Sequence, residues 1–316
     1  MSSPTLSSIL RALPRGRLPD YRRLATLSAG YLLTLVLPRR FDQRALGRLT
    51  QSPLVVKDAW VRRIEELMRS MLGAELPDAD FRSLAREYCE MTRETEWIRF
   101  RAFHTADVPI EMTLEGLERV EAALEAGKGA ILWGMSFCEN WPWMIALYRA
   151  GVPLVLLASA YHGVTSSTRL GIEAVGPFFS APENRFIAER IVIPADRSRG
   201  FMPVLKQRLS ENSLLFMRGD LESVRTNYPA KVLGREMKFA PGAPGLAWKM
   251  GSALLPMHVV RDGPFRYRTI IHPPVDVDRG LEGSSYIRQA VDHFAALLER
   301  CILESPSDWD FWAIFV

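Results

Sequence analysis

Along the first third of the chain, apolar positions recur at helical spacing. Between Val55 and Met71 they fall at Val56, Ala59, Trp60, Ile64, Leu67, Met68 and Met71, close to the 3.6-residue period of an amphipathic helix. Asp78 to Phe103, free of Gly and Pro, predicts a second long helix. Leu114 to Ala126 predicts a third, with Leu114, Leu117, Val120 and Leu124 on one face and Gly127 as its stop. The texture then changes. Short apolar runs stand at Ala130–Trp133, Pro153–Ala158, Arg190–Pro194, Ser213–Met217, Ala253–Val260 and Tyr267–Ile271, with helical patterns at Met144–Ala150, Phe201–Leu209 and Leu246–Met250 between them. This alternation predicts an α/β fold: a mainly parallel central sheet flanked by helices, with an N-terminal helical portion. A last helix, Ser285 to Glu304, leads into the tail SDWDFWAIFV. Ligands of such sheets bind beyond the carboxyl ends of the strands. That directs attention to Met135–Asn140, Ser159–His162, Asp196–Arg199 and Arg218–Glu222.

The densest chemistry follows the first run. Residues 130–143 read AILWGMSFCENWPW, a buried strand that stops at Gly134 and meets Ser136, Cys138, Glu139 and Asn140 between large aromatics. Ser136-x-x-Glu139 has the form of a helix capping box. Pro142 opposes that reading, because its ring would sit too deep in a helix capped by Ser136. With Asn140 as cap, Pro142 falls in the first turn, where its missing donor is harmless. Ser136 and Glu139 are then expected in the strand-to-helix loop, facing a cleft.

Composition narrows the function classes. The 316 residues are 48% hydrophobic and 24% charged, with a net charge of +4, too mild to indicate nucleic acid. The charge is uneven: nine arginines and two aspartates precede residue 50, a local balance of +7. Within that segment Leu24–Leu37 is uncharged and flanked by Arg22-Arg23 and Arg39-Arg40. Its length falls short of the ~17 residues that span a bilayer, and Pro38-Arg39-Arg40 is no signal-peptidase site. The segment is either a core helix or an element lying in a membrane interface with its arginines on anionic headgroups. Three widely spaced cysteines (Cys89, Cys138, Cys301) fit a reducing compartment, and no Cys/His spacing or cluster in the sequence indicates a metal. P-loop, GxGxxG, HExxH and GxSxG motifs are missing from the sequence, so nucleotide hydrolases, dehydrogenases, zinc proteases and ordinary esterases have no support.

Several pieces in order resemble one family. VEAALEAGKGAILWG (Val120–Gly134), PLVLLASAYHG, LKQRLSENSLLFMRGD, PGAPGLAWKMGSALLP (Pro241–Pro256) and HFAALLERCILESPSDWDFW resemble successive segments of the lipid A biosynthesis (lauroyl/myristoyl) acyltransferases, which belong to the lysophospholipid acyltransferase-like superfamily and whose family includes phosphatidylinositol mannoside acyltransferases. The resemblance covers roughly residues 20–316. It implies a glycerolipid acyltransferase-like fold and a peripheral position on the cytoplasmic face of the inner membrane. On this basis residues 1–45 would be a membrane-contact segment and residues 46–316 a single acyltransferase-like domain. It further implies acyl transfer from an acyl carrier protein or coenzyme A thioester to a hydroxyl or amine of a lipid or small-molecule acceptor, with no other cofactor. In the family a His, acting as general base, and an acidic residue five positions later do the chemistry.

This chain departs from the family at that point. Without a gap the His-Phe-Gly-Asn-Trp-Glu pattern falls on Ser136-Phe137-Cys138-Glu139-Asn140-Trp141, so Ser136 holds the His position and Trp141 the acidic one. A shift by one residue puts Phe137 and Pro142 there instead. Three accounts remain open: a capping loop; rewired catalysis, with Glu139 as base or Ser136 or Cys138 as nucleophile paired with His162; or a binding protein that has kept the fold and lost the reaction. Asp220 matches the second Asp of the family's Asp-x-Asp turn and Arg218 stands at the first. Arg218 suits either a bound phosphate or carboxylate or an internal pair with Asp220 or Glu222, and Gly219 between them suits a tight turn. Lys231–Lys238, with four charges in eight residues, is either a polar substrate wall or a solvated hairpin edge. Ser166–Arg169 and Asp196–Arg199 are further candidates for substrate contact. The expected site thus comprises Ser136, Glu139, His162 and Asp220 as catalytic residues, with Cys138, Asn140, Arg218 and Arg169 toward substrate.

Overall fold

The computed structural model describes residues 17–42, 58–163, 168–194, 200–222 and 226–312, except the side chain of Asn140. The first third is helical: α1 (Leu18–Val36), α2 (Asp58–Leu72) and α3 (Phe81–His104). Asp80 caps α3 by accepting the N–H groups of Arg82 and Ser83 (both 3.1 Å). α2 turns Val61, Ile64, Met68 and Leu72 inward, as its apolar period requires.

The rest is built on seven strands: β1 (Glu111–Glu115), β2 (Ala130–Gly134), β3 (Leu154–Ser159), β4 (Glu189–Ile193), β5 (Leu214–Arg218), β8 (Ala253–Gly263) and β9 (Arg266–Ile271). Their order is β1-β9-β8-β2-β5-β3-β4. β8, β2, β5, β3 and β4 run parallel, and β9 turns back antiparallel to β8 and pairs in parallel with β1. The expected mainly parallel α/β sheet is therefore present. β2, β3 and β5 bury nearly every position, the unalternating pattern of strands covered on both faces. Helices α4 (Leu117–Glu125), α5 (Trp143–Arg149), α6 (Pro177–Glu183), α7 (Met202–Ser210), α8 (Gly242–Met250) and α9 (Gly283–Glu304) lie between or after the strands. Strands β6 (Tyr228–Val232) and β7 (Arg235–Phe239) form a separate antiparallel hairpin, so the charge-rich Lys231–Lys238 stretch is a hairpin edge.

Three elements differ from the pattern reading. Leu114 belongs to β1, not to the following helix, because Gly116 at φ 83° breaks the chain between them. β8 continues to Gly263 past a bulge between Arg261 and Gly263. α6 and the π turn Gly171–Val175 before it lie in a stretch whose periodicity gave no helix.

Two buried networks hold the helical portion, one to the sheet and one within itself. Glu94 of α3 accepts hydrogen bonds from Arg261 (3.1 and 2.9 Å), the Phe265 N–H (2.9 Å) and the Tyr267 hydroxyl (2.5 Å), fixing α3 to the β8–β9 hairpin. Arg101 pairs with Asp42 (2.9 Å) and donates to the Leu37 carbonyl (2.7 Å), anchoring the end of α1. α1 buries Leu27 with Phe100 of α3 but leaves Leu18, Tyr21, Leu32, Leu33, Leu35 and Val36 exposed. Leu24–Leu37 is thus half core and half open. Among the described residues no helix is long and apolar enough to cross a membrane.

Candidate active site

β2, β5 and β3 are neighbours in the sheet, so the turns after Gly134, Arg218 and Ser159 emerge at one carboxyl edge. The β2 turn is held by β8 and by the C-terminal tail. Met135 donates its N–H to the Met257 carbonyl (2.8 Å), and Phe137 forms an antiparallel bridge with Trp309 of the C-terminal tail. Asp310 donates its N–H to the Ser136 carbonyl (2.9 Å) and its Oδ1 accepts the Glu139 N–H (2.6 Å). Between these clamps Cys138 and Glu139 sit at φ 53° and 56°. Two consecutive side-chain-bearing residues in the left-handed region cost about 1–3 kcal/mol each, a strain that persists only where surrounding contacts impose it. α5 begins at Trp143 directly after Pro142, so Ser136 and Glu139 do lie in the strand-to-helix loop.

Ser136 does not face a cleft; it is fully buried. Its hydroxyl donates to Asp220 Oδ1 (2.6 Å), while its N–H donates to Oδ2 (2.6 Å). The same hydroxyl accepts from Arg218 Nε (3.0 Å) and Nη2 (2.5 Å). A serine oxygen has one proton and two lone pairs; all three are engaged, which leaves none for attack on a carbonyl. Ser136 is a strut joining Arg218 to Asp220. Burial raises the Asp220 carboxyl above its ordinary value, against the pull of Arg218 and of the Ser136 hydrogen bonds. Arg218, a third exposed, links this set to solvent. Gly219 between them does not use a positive φ. It is needed for space: a Cβ there would stand 2.4 Å from the rings of Phe294 and Trp133.

Cys138 is also fully buried, its thiol 3.8 Å from the Val259 carbonyl. Burial, with Asp308 and Asp310 nearby, holds the thiol well above its ordinary pKa, so it stays protonated and is not poised as a nucleophile. Glu139 is only partly buried. Loss of solvation raises its carboxyl, Arg99 pulls it down and Glu96 pushes it up. Asp310 is raised further, first by burial and then by Glu139 itself. In this acidic pair Glu139, once ionised, disfavours ionisation of Asp310.

His162 meets neither Ser136 nor Cys138. Its Nε2 lies 2.9 Å from both carboxylate oxygens of the fully buried Glu183, which Arg190 also contacts at 2.8 Å. Burial alone would raise Glu183, but His162, Arg99 and Arg190 bring it down to about 2. A carboxylate that fixes one ring nitrogen leaves the other as an acid–base atom, the arrangement seen wherever a carboxylate orients a histidine. Between this pair and the β2 turn lies Arg99, 4% exposed. Its guanidinium is 5.2 Å from the Trp141 ring centre and 4.7 Å from that of Phe179, and its Nε has no hydrogen-bond partner among the described residues. Arg169 is drawn into an exposed i,i+4 pair with Glu173 (3.0 Å), apart from this group. The Asn140 side chain, residues 164–167 and residues 195–199 lie outside the described residues. A recess of about 610 Å³ bounded by Asp107–Glu111, Arg149 and Pro264–Arg266 shares no residue with the site.

Folding thus gathers Ser136, Asp220, Arg218, Glu139 and, one layer away, His162. Sequence reading missed Arg99, Glu183 and Asp310. Arg99 offered a faint signal, a charge on the inward face of a helix; Asp310 and Glu183 acquire their roles only from tertiary contacts.

Comparison with known proteins bears on this arrangement. Residues 76–313 match the profile of the bacterial lipid A biosynthesis acyltransferases. The chain is similar to phosphatidylinositol mannoside acyltransferases of two Mycobacterium tuberculosis strains, H37Rv (26% identical) and CDC 1551 (24% identical). Each similarity runs over 305 residues and covers 94% of this chain and 90% of the relative.

Proposed function

The chain belongs to the bacterial lipid A biosynthesis acyltransferase family, and on that premise we propose that it transfers an acyl group from an acyl-carrier-protein or coenzyme A thioester to a hydroxyl or amine of a lipid or small-molecule acceptor. The observation that carries this reading is the left-handed Cys138–Glu139 pair, held by Asp310 and the Phe137–Trp309 bridge. Such strain at a strand's carboxyl end, aimed around a carboxyl of raised pKa, marks a site built for a task. Glu139 takes the proton of the acceptor hydroxyl, the freed oxygen attacks the thioester carbonyl, and the tetrahedral intermediate collapses with loss of the thiolate. Glu139, now protonated, returns the proton to the sulfur. Arg218 retains N–H groups beyond those given to Ser136, and these serve the developing oxyanion. Arg99, a buried cation whose Nε has no hydrogen-bond partner among the described residues, suits a phosphate on the acceptor. That fits an acceptor of the class named for the mycobacterial relatives.

A second reading has its own observation: His162, oriented by Glu183, is the base instead. A third, supported by the loss of the family's His and acidic residue, is a protein that binds a lipid or acylated partner without turnover. We further propose a peripheral position at the cytoplasmic face of the inner membrane, with residues 1–45 as the contact segment; the exposed apolar positions of α1 support a membrane contact. The test is a panel of acyl-carrier-protein and coenzyme A thioesters with lipid acceptors, read as thiol released. Turnover lost in Glu139→Gln and kept in His162→Gln supports the Glu139 reading. The reverse supports His162. Saturable binding without turnover across the panel leaves the binding protein.

A further inference from the structure

The sequence spreads its histidines and cysteines widely, yet the fold brings three of them to one point between the sheet and α9. His258 lies on β8, His272 follows β9 by one residue, and Cys301 is on α9. His258 and Pro256 share the sheet face on which Trp133 stacks against Phe294 of α9 (4.1 Å between ring centres), so both imidazoles point into the sheet–helix seam. His272 Nε2 is 3.0 Å from His258 Nδ1, and Cys301 Sγ is 3.8 Å from the first imidazole and 4.0 Å from the second. All three ligand atoms fall within 4.8 Å of one another. The two rings lie parallel, 5.0 Å apart with 10° between planes.

We propose that His258, His272 and Cys301 form a binding site for a zinc-class divalent cation that pins α9 to the β8–β9 hairpin. The distances carry this. A tetrahedral ion with metal–nitrogen bonds near ~2.05 Å and a metal–sulfur bond near ~2.3 Å requires N···N of ~3.3 Å and N···S of ~3.6 Å. The observed spacings differ from those by a few tenths of an ångström, which small side-chain rotations supply. Two imidazoles and a thiol are the ligand types that borderline-soft ions select over magnesium or calcium. Three protein ligands leave the fourth position to water or to a small ligand. His258 and Cys301 are buried, while His272 is partly exposed and gives an ion its way in. Imidazole binds metal in its neutral form, and on binding the Cys301 thiol gives its proton to solvent. The edge of Phe137 packs on His258 (5.2 Å, 65°), so the ion buttresses the same loop that carries Ser136 and Glu139. Its role is structural, and the proposal stands whatever the acyl reaction proves to be.

The experiment uses the full chain, stripped with chelator and titrated with Co²⁺, then Zn²⁺. One Co²⁺ per chain is expected, with a thiolate-to-cobalt charge-transfer band, displaced by one Zn²⁺. Cys301→Ser should abolish the band, and His272→Ala should weaken Zn²⁺ binding at least ~10-fold. Cys89→Ser should leave both unchanged. Circular dichroism of the metal-free variants separates lost ligands from lost fold, and the half-exposed His272 provides the milder substitution. Absence of a charge-transfer band, or a band and affinity that survive Cys301→Ser and His272→Ala, would overturn the site.

Discussion

At the scale of single residues, the site works by exchanging ordinary roles. Ser136, where the family resemblance puts a base, has its proton and both lone pairs committed to Asp220 and Arg218. Glu139, where the resemblance puts an asparagine, brings a carboxyl to a partly exposed position of the turn. Its raised pKa sets a sign. A base must be ionised to act, so activity should fall as pH drops through the raised Glu139 value rather than through the usual carboxylate range. Loss of solvation is the first cause of that elevation, and the Glu96 carboxylate adds to it while Arg99 opposes it. Glu96→Gln removes the like charge. The acid limb of the kcat/KM profile should therefore move to lower pH, with the alkaline side little changed. An unmoved limb would mean that Glu96 does not act on Glu139 during turnover.

At the scale of elements, the C-terminal tail is part of the site. Trp309 and Asp310 clamp the β2 turn, and Asp308 accepts the Arg261 N–H (2.9 Å). Burial lifts the Asp308 carboxyl to about 7. A carboxyl with a raised folded-state pKa favours the folded state fully at low pH and gives up that contribution as pH climbs from about 4 to about 7. Asp308→Asn keeps the hydrogen bond without the charge. Its urea midpoint relative to the parent should rise between pH 5 and pH 8, equivalent to a few kcal/mol; a difference independent of pH would contradict the buried-charge account. The Arg218–Asp220 turn allows a second test. Gly219→Ala places a methyl against Phe294 and Trp133, which should cost about 1–3 kcal/mol and disturb the Ser136 strut, seen as a lower thermal midpoint together with a lower kcat. Most of this architecture was legible in the sequence. Burial on both faces leaves a plain apolar run, which placed β2, β3 and β5, while a shorter apolar run placed β9 and a helical period placed α9. The tail's function was not legible, since Asp310 touches Glu139 across 171 positions and no local rule encodes that contact. Nor was the His162–Glu183 pair, because α6 lies in a stretch without a clear period.

At the scale of the whole molecule, a sheet roofed by α3 and the tail presents one chemical edge, while α1 presents an apolar surface beside it. α1 packs Leu27 on Phe100 and its end is pinned through Arg101, so deleting it would open the core and confuse any binding assay. Leu32→Glu with Val36→Glu alters only exposed positions and should sharply reduce sedimentation with anionic vesicles, as should raised salt; equal sedimentation of parent and variant would exclude α1 as the contact. The membrane surface, the thioester donor and the acceptor all converge on one question, whether the strained turn does chemistry. Single-turnover thiol release from an acyl thioester, with acceptor present, measures it most directly. Glu139→Gln should slow that release by about 10²–10⁴-fold while leaving donor binding intact. Release at the parental rate in Glu139→Gln would contradict the assignment of the base to this turn.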